Sequence, residues 1–151
     1  MYLKKFLIIF DSSRGAFIQM EKKYKILIEK AMSAREKSYS PYSGFRVGAC
    51  IETEDGLFFT GCNIENSSYP VTNCAERTAI FKAVSEGYTK FKRIAIVGGK
   101  DAVEEFCPPC GMCRQTMMEF CDADTFEVVL AKKDEYKIIK LKDLFPFEFT
   151  L

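Results

Sequence analysis

The chain is 151 residues long, 48% hydrophobic and 28% charged, with a formal net charge of +1. That length supports one domain with a core of its own, the charge balance does not suggest a polyanion-binding surface and so argues against a nucleic-acid substrate, and no apolar run is long enough to span a membrane. Seven cysteines and no histidine argue for free or metal-bound thiols in a reducing compartment, read as the cytoplasm, and exclude a histidine ligand or a histidine general base.

Residues 1–19 differ from the rest. Lys4-Lys5 ahead of Phe6-Leu7-Ile8-Ile9-Phe10 imitates the opening of a signal peptide, but the run is short and Asp11-Ser12-Ser13-Arg14-Gly15 ends it. We expect a strand or a flexible extension that the fold does not need, with Met20 as a natural translation start and residues 20–151 as the domain. Tyr24, Leu27, Ile28, Ala31 and Met32 recur at helical spacing, which predicts an amphipathic helix from Lys22 to about Tyr39. Pro41 ends that pattern and Ser40 to Gly44 reads as a turn. Phe45 to Ile51 reads as a strand, Glu54-Asp55-Gly56 as a hairpin turn, and Leu57 to Asn63 as the returning strand. Ser67 to Thr72 is a loop, and Cys74 to about Glu86 a helix stopped by Gly87.

Arg93 to Gly99 is a near-continuous apolar run, as expected of a central strand covered on both faces. Lys100 to Pro109 is a loop, Cys110 to about Cys121 a helix, Phe126 to Ala131 a strand, and Tyr136 to Lys140 another, with a helical turn at Leu141 to Phe145. The order α-β-β-α-β-α-β-β predicts an α/β domain of three layers around a sheet of five strands. The four-residue link Lys132-Lys133-Asp134-Glu135 cannot carry a parallel crossover, so the last two strands should be antiparallel neighbours.

Two of the predicted helices begin in clustered chemistry. One opens with Asn73-Cys74-Ala75-Glu76-Arg77-Thr78, the other with Pro109-Cys110-Gly111-Met112-Cys113-Arg114-Gln115. Cys110 and Cys113 have the C-x-x-C spacing that lets two thiols at a helix start converge on one ion, and Cys74 supplies a third if the fold brings it near. Three protein ligands leave a zinc ion one open position, as in a catalytic site. Glu76, two residues beyond Cys74, leaves the bearing of the thiol and is the candidate proton shuttle. Taken singly these signals are weak: Asn73-x-x-Glu76 also fits a capping box, and C-x-x-C also fits a redox pair or half of a structural zinc knot. Together, C-A-E-R and a P-C-x-x-C about 35 residues later fit the zinc-dependent base deaminases, in which a non-ligand Glu moves the protons.

With both motifs at helix starts in this order, the chain from about Met20 to Phe149 resembles the cytidine deaminases, of the small, homotetrameric, zinc-dependent kind. The resemblance is carried by Ala34-Arg35, Tyr39-Ser40-Pro41-Tyr42-Ser43, Phe45-Arg46-Val47-Gly48-Ala49, Gly61-Cys62-Asn63-Ile64-Glu65-Asn66 and the two motifs above. It implies a three-layer α-β-α cytidine-deaminase-like fold with a five-stranded mixed sheet, and one Zn2+ per subunit held by Cys74, Cys110 and Cys113. It also implies that Glu76 is the acid/base in the hydrolytic deamination of cytidine and deoxycytidine to uridine and deoxyuridine, with release of ammonia, a pyrimidine-salvage reaction. Asn63 and Glu65 match residues that hydrogen-bond the sugar hydroxyls, as an amide and a carboxylate can. Phe45 matches an aromatic that packs on the base, and Ala75 belongs to the same substrate-binding set. Tyr69 and Phe149 match aromatics that reach a neighbouring subunit's site. The implied partners are a small nucleoside and other copies of this chain in a homotetramer, with neither nucleic acid nor membrane. Without the resemblance, Phe45 reads as a core aromatic and Asn63 and Asn66 as turn residues.

Three thiolates on Zn2+ leave a net charge of −1, which weakens the metal's effect on water. Arg77 and the two helix N-termini are expected to offset it, with Gln115 helping to orient a ligand thiolate; the plainer reading of Arg77 is an exposed salt bridge. Cys107-Pro108-Pro109-Cys110 is a second, overlapping C-x-x-C. Cys107 has no counterpart in the family motif and is expected not to be a ligand. Three rivals share part of the pattern. A deaminase of another small heterocycle, such as blasticidin S, shares the metal motifs but not the Asn63-x-Glu65-Asn66 sugar signature. A polynucleotide-editing deaminase is disfavoured by the short link between the last strands and the near-neutral charge. A structural zinc module would close its tetrahedron with a fourth Cys, from Cys107, Cys62 or Cys121, and leave Glu76 only a capping task.

Overall fold

The structure, a computed structural model, describes residues 8–11, 16–19, 21–147 and 149. Ile8–Asp11 (β1) and Ala16–Gln19 (β2) pair antiparallel as a two-stranded sheet separate from the main one. Two strands thus fall within the expected N-terminal extension; Met20 lies outside the described residues.

The amphipathic pattern forms a helix at Lys22–Arg35 (α1). It stops four residues short of the expected Tyr39 for a tertiary reason. Tyr39 gives its N–H to the Asn63 carbonyl at 3.1 Å and accepts from the Glu65 N–H at 2.8 Å, so its main chain belongs to a bridge rather than to the helix. There follow Arg46–Thr53 (β3), Phe58–Cys62 (β4), a 3-10 turn at Tyr69–Val71, Ala75–Ser85 (α2) and Phe91–Gly99 (β5). Gly111–Phe120 (α3), Glu127–Lys132 (β6), Glu135–Lys140 (β7) and Leu141–Leu144 (α4) complete the order. Gly56 turns the β3–β4 hairpin at φ 81 and Gly87 ends α2 at φ 94, both conformations that cost L side chains energy.

The main sheet runs β4-β3-β5-β6-β7. β3 is antiparallel to β4 and β5, β5 is parallel to β6 across the α3 connection, and β6 and β7 form the expected antiparallel pair. β5 sits at the centre and is buried on both faces along Ile94 to Val97. Alternation assigns the two faces. Ala49, Ile51, Ile94, Ile96, Val128 and Leu130 point toward Ala79, Ile80 and Ala83 of α2 and Met117 of α3. Cys50, Ala95, Val97, Val129 and Ala131 point the other way, toward Tyr24, Leu27 and Ala31 of α1. The result is the predicted α-β-α sandwich. None of α1, α2 and α3 has a side-chain N-cap bond, so burial holds them in place, at about 1.5–3 kcal/mol per fully buried large apolar side chain.

Two glycines set the layer spacing. A Cβ on Gly48 would stand 2.1 Å from the Ala31 carbonyl oxygen and 2.5 Å from the Arg35 nitrogen, and one on Gly61 would stand 2.4 Å from both the Ala75 oxygen and the Ala79 nitrogen. The bare strand lets α1 and α2 lie directly on the sheet, and the second contact fixes the start of α2, where the site begins.

Candidate active site

The site forms where α2 and α3 begin on the same face of the sheet. Asn73 forms a two-bond bridge with Ile64, Ile64 N–H to Asn73 O at 2.9 Å and Asn73 N–H to Ile64 O at 3.0 Å. That bridge delivers Cys74 as the extended residue capping α2. The Asn73 amide donates to Thr78 Oγ1 at 3.0 Å, so the alternative capping-box role is not taken. Cys110 caps α3 in the same extended conformation, Cys113 is buried in its first turn, and Arg114 holds the Pro109 carbonyl at 2.8 Å.

The Sγ atoms of Cys74, Cys110 and Cys113 all lie within 4.8 Å of one another, with Cys74 and Cys110 3.8 Å apart. A tetrahedral zinc with Zn–S near 2.3 Å requires sulfurs about 3.8 Å apart, so the donor set fits one Zn2+. Cys107 is not part of this cluster, and all seven cysteines are free thiols.

Charge is managed by three groups. The neighbouring Cys113 thiol, with Arg77 beside it, holds the Cys74 thiol well below its ordinary value. Cys113 is pushed up by its pairing with Cys74, by burial, and by the charges of Glu76, Cys74 and Cys110. A divalent cation bound by these sulfurs would displace their thiol protons. Arg77 Nη2 lies 3.6 Å from Cys74 Sγ and 3.3 Å from the Thr72 carbonyl. Its guanidinium places a positive charge beside the cluster, and among the described residues its buried Nε has no hydrogen-bond partner. The N-termini of α2 and α3 add positive dipole ends at the sulfurs. Glu76 is 4% exposed. Burial, then the adjacent Cys74 charge, raise its carboxyl to about 7, which suits a group that both takes and gives protons near neutrality.

The remaining predicted positions have these surroundings. Asn63 is buried: its Oδ1 accepts from the Val47 N–H at 2.8 Å and from the Ser38 hydroxyl, and its Nδ2 donates to the Phe45 carbonyl at 2.8 Å. Glu65 is buried and accepts from the Tyr42 N–H at 2.9 Å, the Ser43 N–H at 3.2 Å and the Ser43 hydroxyl. Those bonds hold its carboxyl below the ordinary range, the Ser43 hydroxyl first. Each side chain braces the 38–47 segment and retains spare hydrogen-bonding capacity: an amide hydrogen on Asn63, lone pairs on Glu65. Phe45 is partly exposed with its ring edge over Gly98, and Ala75 is buried at the start of α2. Tyr69 and Phe149 are 64% and 68% exposed on the subunit. Gln115 donates to the Phe149 carbonyl at 2.8 Å and accepts from its N–H at 3.3 Å. Its amide thus holds the C-terminal main chain and not a ligand sulfur. Sequence reasoning attached no role to Ser38, Ser43 or Thr78; the turn pattern Tyr39-Ser40-Pro41-Tyr42-Ser43 was the available signal for the second.

The sequence model of the "Cytidine and deoxycytidylate deaminase zinc-binding region" matches residues 21–130. The chain is 46% identical over 126 residues to a cytidine deaminase of Halalkalibacterium halodurans, covering 83% of this chain and 93% of that one. It is 44% identical over 124 residues to the cytidine deaminase of Sporosarcina psychrophila, covering 82% and 89%. The crystal structure of cytidine deaminase from Burkholderia pseudomallei superposes with a TM-score of 0.76 at 46% identity, covering 83% of this chain and 98% of that one. Family match, sulfur cluster and fold agree, and the chain belongs to the cytidine and deoxycytidylate deaminase family.

Proposed function

We propose that this chain is a zinc-dependent cytidine deaminase that converts cytidine and deoxycytidine to uridine and deoxyuridine with release of ammonia. The observation that carries the reading is a three-sulfur cluster sized for zinc with the buried Glu76 two residues beyond Cys74. Zn2+ held by Cys74, Cys110 and Cys113 supplies the Lewis acidity that makes water a nucleophile near neutral pH. Glu76 then does the proton work. It accepts a proton as water oxygen adds to C4 of the base and passes it to ring N3; it then takes the second proton from the new C4 hydroxyl and delivers it to the amino group, which leaves as ammonia as the C4 carbonyl forms. Phe45 packs on the base, Ala75 borders it, and Asn63 and Glu65 hold the sugar hydroxyls. Arg77 keeps the thiolate cluster from becoming too electron-rich to activate water.

The working enzyme is a homotetramer, with Tyr69 and Phe149 of one subunit entering a neighbour's site; their exposure on the subunit supports that reading. The enzyme acts in pyrimidine salvage in the cytoplasm, where reducing conditions keep its ligand thiols available. Among the described residues no helix is long and apolar enough to cross a membrane.

The test is loss of the cytidine ultraviolet band on mixing with zinc-loaded protein, beside Glu76→Gln. Turnover should fall by about 10³-fold or more in the variant with zinc retained. If the zinc-loaded wild type turns over neither cytidine nor deoxycytidine, the reading is wrong.

A further inference from the structure

Cys107 lies beside the site, outside the sulfur cluster, and no step of the proposed reaction uses it. Its surroundings are specific. Val47 and Gly98 are partners in the β3–β5 ladder, so they share the sheet face that Ala49, Ile51, Ile94 and Ile96 turn toward α2 and α3. Phe45, two residues before Val47, continues that row. Gly98 leaves the row bare: a Cβ there would stand 2.7 Å from Cys107 Sγ, 2.9 Å from Cys107 Cβ and 3.0 Å from Phe45 Cε1. The thiol and the ring edge therefore occupy the space over one glycine. Sulfur against an aromatic ring is a favourable contact.

The loop that carries Cys107 is anchored. Lys133 N–H donates to the Val103 carbonyl at 2.8 Å. The Phe106 ring lies under the ammonium groups of Lys132 at 5.0 Å and Lys137 at 4.5 Å. Burial, and then the nearby Glu76 and Cys74 charges, push the Cys107 thiol up to about 11, so at neutral pH it is an uncharged packing group.

We propose that Cys107, seated on Gly98, is a positioning residue that fixes the Phe45 ring and so sets how tightly the nucleoside binds. This rests on the reading of Phe45 as the aromatic that packs on the base. Removing the sulfur frees the ring to tilt, which weakens binding of substrate and transition state together and leaves the chemical step alone.

The experiment is steady-state kinetics on zinc-loaded wild type, Cys107→Ala, Phe45→Ala and the double variant, with cytidine. Cys107→Ala should raise KM about fivefold with kcat within about twofold, and add less than about twofold in the Phe45→Ala background. Zinc content should stay unchanged. Cys107→Ser, which keeps an atom at the γ position, should recover most of the lost binding. Gly98→Ala drives a methyl into the space that Cys107 and Phe45 occupy and should also raise KM, which tests the same contact from the strand side if Cys107→Ala folds poorly. An unchanged KM, an equal factor in both backgrounds, or loss of zinc with Cys107→Ala overturns the proposal. Cytidine turnover by the wild type alongside any of those results sinks this assignment alone, whereas a wild type that cannot deaminate cytidine removes the functional reading and this one with it.

Discussion

Arg77 shows how much one residue of this site has to do. It bonds the Thr72 carbonyl, reaches Cys74 Sγ, and carries the cation that a three-thiolate zinc set needs nearby. Arg77→Ala should therefore weaken zinc binding by about 10–100-fold, the usual cost of losing a group that supports a metal ligand. Competition with a chromophoric chelator measures this, and unchanged affinity would return Arg77 to the status of a surface arginine. The sulfurs themselves were legible because C-x-x-C and C-A-E-R are local patterns at helix starts. The bracing of Asn63 by Ser38 and of Glu65 by Ser43 was not. Those pairs lie more than 20 residues apart, and no local spacing encodes them. Gln115 makes the same point: its helical position gave no sign that its amide would hold the Phe149 main chain.

Between helix and sheet, the β3–α1 approach at Gly48 is closer than the β4–α2 approach at Gly61. Gly48→Ala puts a methyl where the Ala31 carbonyl and Arg35 nitrogen already stand. It should cost about 3 kcal/mol in denaturant unfolding, at the upper end for overpacking because main chain must move; a cost below about 1 kcal/mol would mean α1 can slide freely on the sheet. Across the strands, Arg93 of β5 bonds Glu52 of β3 at 2.8 Å and Glu127 of β6 at 2.9 Å. Burial opposes charge on Glu127, but Arg93 and then Lys140 outweigh it, so its pKa lies below the ordinary glutamate value. The stability this carboxylate contributes is present above the unfolded pKa of about 4.3 and is lost as pH falls through the lower folded value. Glu127→Gln should thus lower stability by about 1 kcal/mol at pH 7, a modest figure because solvent reaches the cluster. Melting curves from pH 7 down to pH 3 should show the gap to wild type closing in acid. A gap that widens instead would reverse the assigned direction.

For the whole molecule, the outstanding question is what residues 1–19 contribute. The main sheet draws all five of its strands from Arg46 onward, β1 and β2 form a sheet of their own, and the family match begins at residue 21. A chain starting at Met20 should melt within about 3 °C of the full chain, the shift expected from about 1 kcal/mol in a domain this size. Zinc content and kcat/KM should be unchanged; failure to fold would make the β1–β2 hairpin part of the structure. By itself the sequence determined the element order, the antiparallel end of the sheet, and three thiols with a carboxylate at two helix starts. Periodicity, link length and motif spacing are local properties, readable without a fold. Only the tertiary structure decided where α1 stops, because Tyr39 is claimed by Asn63 and Glu65. It also decided that Cys74 meets Cys110 across 36 residues and that Cys107 rests on Gly98 beside Phe45. Those contacts depend on the strand order and on glycines bare enough to let the layers touch, and both are settled only when the whole sheet is assembled.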